Sequence, residues 1–231
     1  MQLRENKRML WGLLGLLALL MTAVACSQAA PTALPPSPTA QPQPATPTPA
    51  SRITLTGAGA TFPYPLYSKM FAEYSKVSNT DVNYQSIGSG GGIRQITQKT
   101  VDFGASDGIM TPQQETAAPG KLLHIPMASG AVAVVYNLPG VGSGLKLTPD
   151  ILADIYLKKI KKWNDPRVVG LNPGMSLPDQ DIAVVHRSDG SGTTYIFTNY
   201  LSKVSPEWKD KVGNATSVNW PGDIGGQGNE G

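Results

Sequence analysis

The sequence predicts an α/β protein. Strand-like and helix-like stretches alternate from residue 52 to residue 231. Ala131 to Asn137 is a continuous apolar run of the kind found in strands covered on both faces. Such alternation builds sheets sandwiched between helices.

The elements follow in order. Ile53 to Thr56 is a short β-prone run. Leu66, Met70, Phe71, Tyr74 and Val77 recur at three- and four-residue spacing, so the spacing predicts an amphipathic helix over 67–77. Val82 to Ile87 reads as a strand, Gly92 to Lys99 as a helix with Ile93 and Ile96 inward, and Val101 to Ala105 and Leu122 to Pro126 as strands. Pro149 to Tyr156 reads as a helix with Thr148 as N-cap. Ile182 to His186 reads as a buried strand and Thr193 to Val204 as a helix. A last helix starts at Pro206 behind the cap residue Ser205. Trp220 to Gly231 reads as a glycine-rich loop.

Composition excludes several classes. Only 15% of the 231 residues are charged, where about a quarter is usual. A coiled coil and a charged tail are therefore disfavoured. Net charge is +3, and removing Arg4, Glu5, Lys7 and Arg8 leaves 16 basic against 15 acidic residues. That balance supports no nucleic-acid-binding face. One cysteine excludes a disulfide framework and a multi-cysteine zinc site, and two histidines argue against a histidine-rich metal site.

The N-terminus reads as a targeting segment. Arg4, Lys7 and Arg8 precede an uncharged, leucine-rich stretch that ends in Ala23-Val24-Ala25-Cys26. It resembles a bacterial lipoprotein signal over residues 1–26, with lipidation at Cys26, although Ala23 stands where leucine is usual. Residues 27–51 form a linker with 8 of the 20 prolines, no charge and no aromatic residue. Such a segment buries no core and extends by about 3.1 Å per residue.

Four loops fall at strand ends: Gly57-Ala58-Gly59-Ala60-Thr61-Phe62, Gly88-Ser89-Gly90-Gly91-Gly92, Ser106-Asp107, and Arg187-Ser188-Asp189-Gly190-Ser191-Gly192-Thr193. In α/β folds ligands bind beyond the carboxyl ends of strands. Glycines let the backbone approach a ligand, and free N–H groups at helix starts favour anions. Arg187 adds a fork for a tetrahedral oxyanion. Asp107 is the informative misfit, because a carboxylate repels an anion unless the anion carries a proton. Hydrogen phosphate can donate that proton and sulfate cannot, so Asp107 selects phosphate.

Each motif alone has a bland counterpart. A glycine loop is commonly a turn, Ser106-Asp107 a helix cap, Arg187 with Asp189 a structural ion pair, His186 a structural residue. Lys158, Lys159, Lys161 and Lys162 beside Trp163 read as a solvated surface or a docking patch. No stretch matches a nucleotide P-loop or a nucleophile elbow.

Together, the motifs are specific. Thr54-Leu55-Thr56-Gly57-Ala58-Gly59-Ala60-Thr61-Phe62-Pro63, Ile87 to Gly92, Val101-Asp102-Phe103-Gly104-Ala105-Ser106-Asp107, Ile155-Tyr156-Leu157 with Ile160-Lys161-Lys162-Trp163, and Arg187 to Thr193 strongly resemble the phosphate-binding protein of the ABC-type phosphate importer. The resemblance runs in order from about residue 53 to the last residue. It implies a two-lobed periplasmic-binding-protein (Venus-flytrap) fold, with lobe I over 52–127 and an incomplete lobe II over 128–231, since family members continue well past the point matching Gly231.

The resemblance also implies function. The protein would bind inorganic phosphate outside the cytoplasm, at the periplasm or cell surface, and deliver it to an ABC permease. No enzymatic step, cofactor, metal or nucleic acid is implied. Phosphate contacts carry over to Thr61, Phe62 (through its N–H), Ser89, Asp107, Arg187, Ser191, Gly192 and Thr193, with Asp189 orienting Arg187. The alternatives are a phosphate sensor or remnant without transport, a sulfate or molybdate binder, and a phosphate-ester hydrolase. The hydrolase lacks a visible nucleophile–base pair or metal pair.

Overall fold

The structure, a computed structural model, describes residues 51–222 and 224–231. The signal-like segment, Cys26 and the linker up to residue 50 lie outside the described residues. No described helix is long and apolar enough to cross a membrane.

The first half is a small parallel sheet with helices. β1 (Ile53–Gly59) lies between β2 (Thr80–Ser86) and β3 (Phe103–Ala105), both parallel to it. α1 (Tyr64–Val77) connects β1 to β2, and α2 (Ser89–Thr97) connects β2 to β3. The helix predicted over 67–77 forms, but its buried side differs from the predicted one. Tyr67 is the buried residue of α1, whereas Leu66, Met70, Tyr74 and Val77 are exposed. Aromatic packing decides this. Tyr67 meets Tyr84 edge-on at 5.3 Å, and Tyr84 stacks over Phe103 at 6.2 Å. Gly57 leaves room for the Phe103 ring against β1.

α2 begins at Ser89, three residues before the predicted start, because Gly88 (φ 81°) turns the chain into the helix. α3 (Pro112–Ala117) was not anticipated, though its sequence carries a capping box. The Gln114 N–H donates to Thr111 Oγ1, and the Thr111 N–H to Gln114 Oε1 at 2.9 Å.

The strands predicted at 122–126 and 131–137 do not form. Leu123, Ile125, Val134 and Val135 are exposed. An apolar, β-branched run becomes a strand only when its backbone finds an edge to pair with, and no described strand pairs with either run.

The second half holds α4 (Pro149–Tyr156), α5 (Pro166–Leu171), β4 (Val185–Arg187), α6 (Gly192–Val204), α7 (Pro206–Lys211) and β5 (Ile224–Gly226). α4 has the predicted bounds, with Thr148 at the N-cap position but bonding no helix N–H through its side chain. Its Ile151 and Ile155 pack with Ile160, Val168, Ile182 and Val184. Ala153 of the same helix packs with Leu201 and Trp208. Trp208 is fully buried, and its Nε1 donates to Gly213 O at 3.0 Å. Ser205 caps α7 as predicted, accepting from the Trp208 N–H at 3.2 Å. The glycine-rich tail, read as a loop, instead contributes β5, which pairs parallel with β4.

Candidate functional site

The first sheet sets the geometry. Its three strands end level, since Gly59 pairs with Ser86 on one side and Ala105 on the other. The loops carrying Thr61, Ser89 and Asp107 therefore leave one edge together. Thr61 and Ser89 are buried there, and Ser89 Oγ accepts from the Asp107 N–H at 3.1 Å. Close helix docking makes this possible. A Cβ on Gly92 would lie 2.6 Å from Ala58 O and 2.8 Å from Ala105 O, so only glycine lets α2 sit on the strand ends.

The fourth loop arrives from β4 and opens α6. Ser191, fully buried, caps this helix by accepting from the Thr194 N–H at 3.2 Å. The N–H groups of Gly192 and Thr193 open the first turn, where a helix has no acceptors of its own. The Gly90 N–H donates to Gly190 O at 2.8 Å, so the two glycine loops touch. A Cβ on Gly192 would fall 2.5 Å from Ser89 Oγ and 2.6 Å from Asp107 Oδ2. The helix start thus abuts both residues.

Arg187 is less free than a bare fork. Its Nε donates to Asp189 Oδ1 at 2.6 Å and its Nη2 to Asp189 Oδ2. That edge is filled within the protein, in the pairing expected of Asp189. Nη1 donates to Asn229 Oδ1 at 3.1 Å. Burial pushes the Asp189 carboxyl up, but the Arg187 bond and the Gly228 N–H outweigh it and hold it below its ordinary range. Asp107 goes the other way. Burial raises it, and the Arg187 charge only partly pulls it back. Burial and the Asp107 charge also raise Tyr67. Tyr84 is raised by burial, then by Tyr67 and Asp107, and its hydroxyl donates to Ala60 O at 2.7 Å.

Of the predicted residues, Thr61, Ser89, Asp107, Arg187, Asp189, Ser191 and Gly192 form one linked cluster. Thr193 sits partly buried on the first turn of α6. Phe62 follows Thr61, and its half-exposed ring lies over Gly130. The lysine cluster is partly tied up in ion pairs, Lys159 with Glu207 and Lys162 with Asp179. His186 stacks on Trp220 at 4.9 Å. Among the described residues, no group of three or more His, Cys, Asp or Glu is placed to hold a metal ion.

Sequence reasoning missed Asn229 and Gly228. Asn229 Oδ1 accepts from Thr61 Oγ1 at 2.6 Å as well as from Arg187, and the Gly228 N–H donates to Asp189 Oδ1 at 3.1 Å. Nothing local marks these residues, since Asn229 lies 168 positions from Thr61.

Parallel sheets whose strand ends converge on glycine-rich, hydroxyl-bearing loops define the class as α/β, with the loops gathered at the carboxyl ends of the strands. The sequence matches the PBP superfamily domain over residues 40–230, and the chain belongs to that superfamily. It is 58% identical over 179 residues to the phosphate-binding protein PstS of Pasteurella multocida, covering 77% of this chain and 52% of that protein. It is 41% identical over 196 residues to the PstS of Methanocaldococcus jannaschii, covering 78% of this chain and 50% of that one. The chain spans about half the length of these curated relatives. An ABC-type phosphate transport receptor from Vibrio cholerae superimposes with a TM-score of 0.45 at 23% identity, over 64% of this chain and 55% of that one.

Proposed function

We propose that this protein binds inorganic phosphate outside the cytoplasm and delivers it to the permease of an ABC-type importer. The observation that carries this reading is the position of Asp107. A partly buried carboxylate with a raised proton affinity stands among hydroxyl and N–H donors, against Ser89 and the start of α6. A carboxylate in that company suits an anion that brings a proton.

In this reading Thr61, Ser89, Ser191 and Thr193 offer hydroxyls, and Phe62 and Gly192 offer N–H groups. Arg187, oriented by Asp189, offers charge through Nη1 and the remaining Nη2 proton. Asp107 accepts the proton of hydrogen phosphate. The site binds and releases without covalent chemistry, in keeping with relatives named as binding proteins. The lobes run over 52–127 and 128–231 and close on the ligand. Cys26 carries a lipid that tethers the protein through the proline-rich linker.

Calorimetric titration of the purified chain with phosphate and then sulfate tests the reading. Saturable phosphate binding with sulfate silent is expected. Equal binding of both anions, or of neither, overturns it.

A further inference from the structure

We infer that Asn229 is an internal competitor for the anion. Its side-chain oxygen accepts from the Thr61 hydroxyl and from one Nη1 N–H of Arg187, donors that phosphate would otherwise use, and phosphate must displace it to gain them. The inference rests on the phosphate-binding reading and adds to it a residue that sets the apparent affinity.

Proton bookkeeping carries it. Thr61 Oγ1 has one proton and gives it to Asn229 Oδ1 at 2.6 Å. While that bond stands, the hydroxyl has none for a phosphate oxygen. Arg187 has Nε and one Nη2 proton engaged with Asp189, and one of its two Nη1 protons turns to the same Asn229 oxygen at 3.1 Å, so one proton on each Nη stays available. Thr61 follows β1 of the first sheet and Arg187 ends β4 of the second. One acceptor therefore receives a proton from each side of the site, as an anion oxygen would.

The supporting backbone is well anchored. β5 runs beside β4, with His186 opposite Gly225 and Arg187 opposite Gly226, and the Ser188 N–H donates to Gly226 O at 2.9 Å. The Gly228 N–H holds Asp189, and Gly228 is buried while Asn229 is exposed. The Asn229 side chain can thus swing away while the chain beneath it stays. The exchange favours phosphate, because a hydrogen bond to a charged oxygen is about twice as strong as one to a neutral amide.

Titrations of the 231-residue chain with inorganic phosphate, each with a thermal melt to show folding, decide the matter. Asn229→Ala removes the competitor and binds phosphate about three- to tenfold tighter, the factor expected if about 10–30% of the molecules have the site free. Asn229→Asp puts a carboxylate in the same place and, at neutral pH, binds at least about tenfold weaker, since it pairs with Arg187 as a charge. Unchanged or weaker binding by folded Asn229→Ala, when the wild type binds, overturns the inference and leaves the phosphate reading intact. If neither wild type nor Asn229→Ala takes phosphate, both fall.

Discussion

Asp189 grips Arg187 along one whole edge of the guanidinium, through Nε at 2.6 Å and through Nη2, with both side chains largely buried. The ion pair makes the arginine rigid and leaves Nη1 to point elsewhere. In a shielded site such a pair contributes mainly orientation, and breaking it by removing one partner costs more than the pair gains.

Asp189→Asn tests this. An amide accepts through one oxygen only and turns its NH2 toward an Arg187 donor. Loss of about 1–3 kcal/mol of stability at neutral pH is expected, with phosphate affinity down at least about tenfold. The pH dependence gives the sign. The folded-state pKa of Asp189 is depressed below 3.8, so its stabilisation is present above that value and is lost as pH falls through the depressed one. Melts at falling pH should therefore show wild type and Asp189→Asn converging below 3.8. A constant gap down to the acid limit contradicts the ion-pair account.

Asp107→Asn tests selectivity. The amide has no charge to repel sulfate and offers an NH2 donor. Phosphate affinity should fall and sulfate affinity rise, shifting the phosphate-to-sulfate ratio by about tenfold or more. Paired titrations measure it, and an unchanged ratio removes Asp107 from the selectivity argument. Because burial raises the folded-state pKa of Asp107, its ionisation costs stability as pH rises from 3.8 through the raised value. The same variant should then melt higher than wild type at neutral pH, whatever its ligand preference.

Gly92→Ala tests the docking of α2. The new methyl meets backbone atoms of β1 and β3 at 2.6 to 2.8 Å, which cannot rotate away. The helix start must lift, drawing Ser89 from Asp107. A loss of about 1–3 kcal/mol is expected by melting, together with weakened phosphate binding. Gly120→Ala, where a methyl meets nothing within 4 Å, is the control. Equal behaviour of the two variants refutes the close-approach argument.

Local signals carried much of the fold. The helix at 149–156 keeps its predicted bounds because Pro149 starts it and its apolar residues face two small cores. The Thr111–Gln114 capping box was legible in the sequence but unread. The run at 131–137 shows the limit of such signals. Its composition suits a sheet, yet strand formation depends on a partner edge that composition does not supply. The buried side of α1 was likewise set by the ring of Tyr84 on a neighbouring strand, not by the helix's own periodicity.

The sequence by itself determined the α/β alternation and the donor-rich loops, because backbone turns, caps and glycine freedom act over a few residues. Its resemblance to the phosphate-binding family proposed Thr61, Ser89, Asp107, Arg187 and Asp189 for one site, and the fold brings these residues near one another. Only the tertiary structure decided that Asn229 reaches Thr61 and Arg187 together. Those contacts depend on the parallel pairing of β5 with β4, which brings a distant glycine-rich segment over the strand ends. No local pattern encodes a hydrogen bond between residues 168 positions apart.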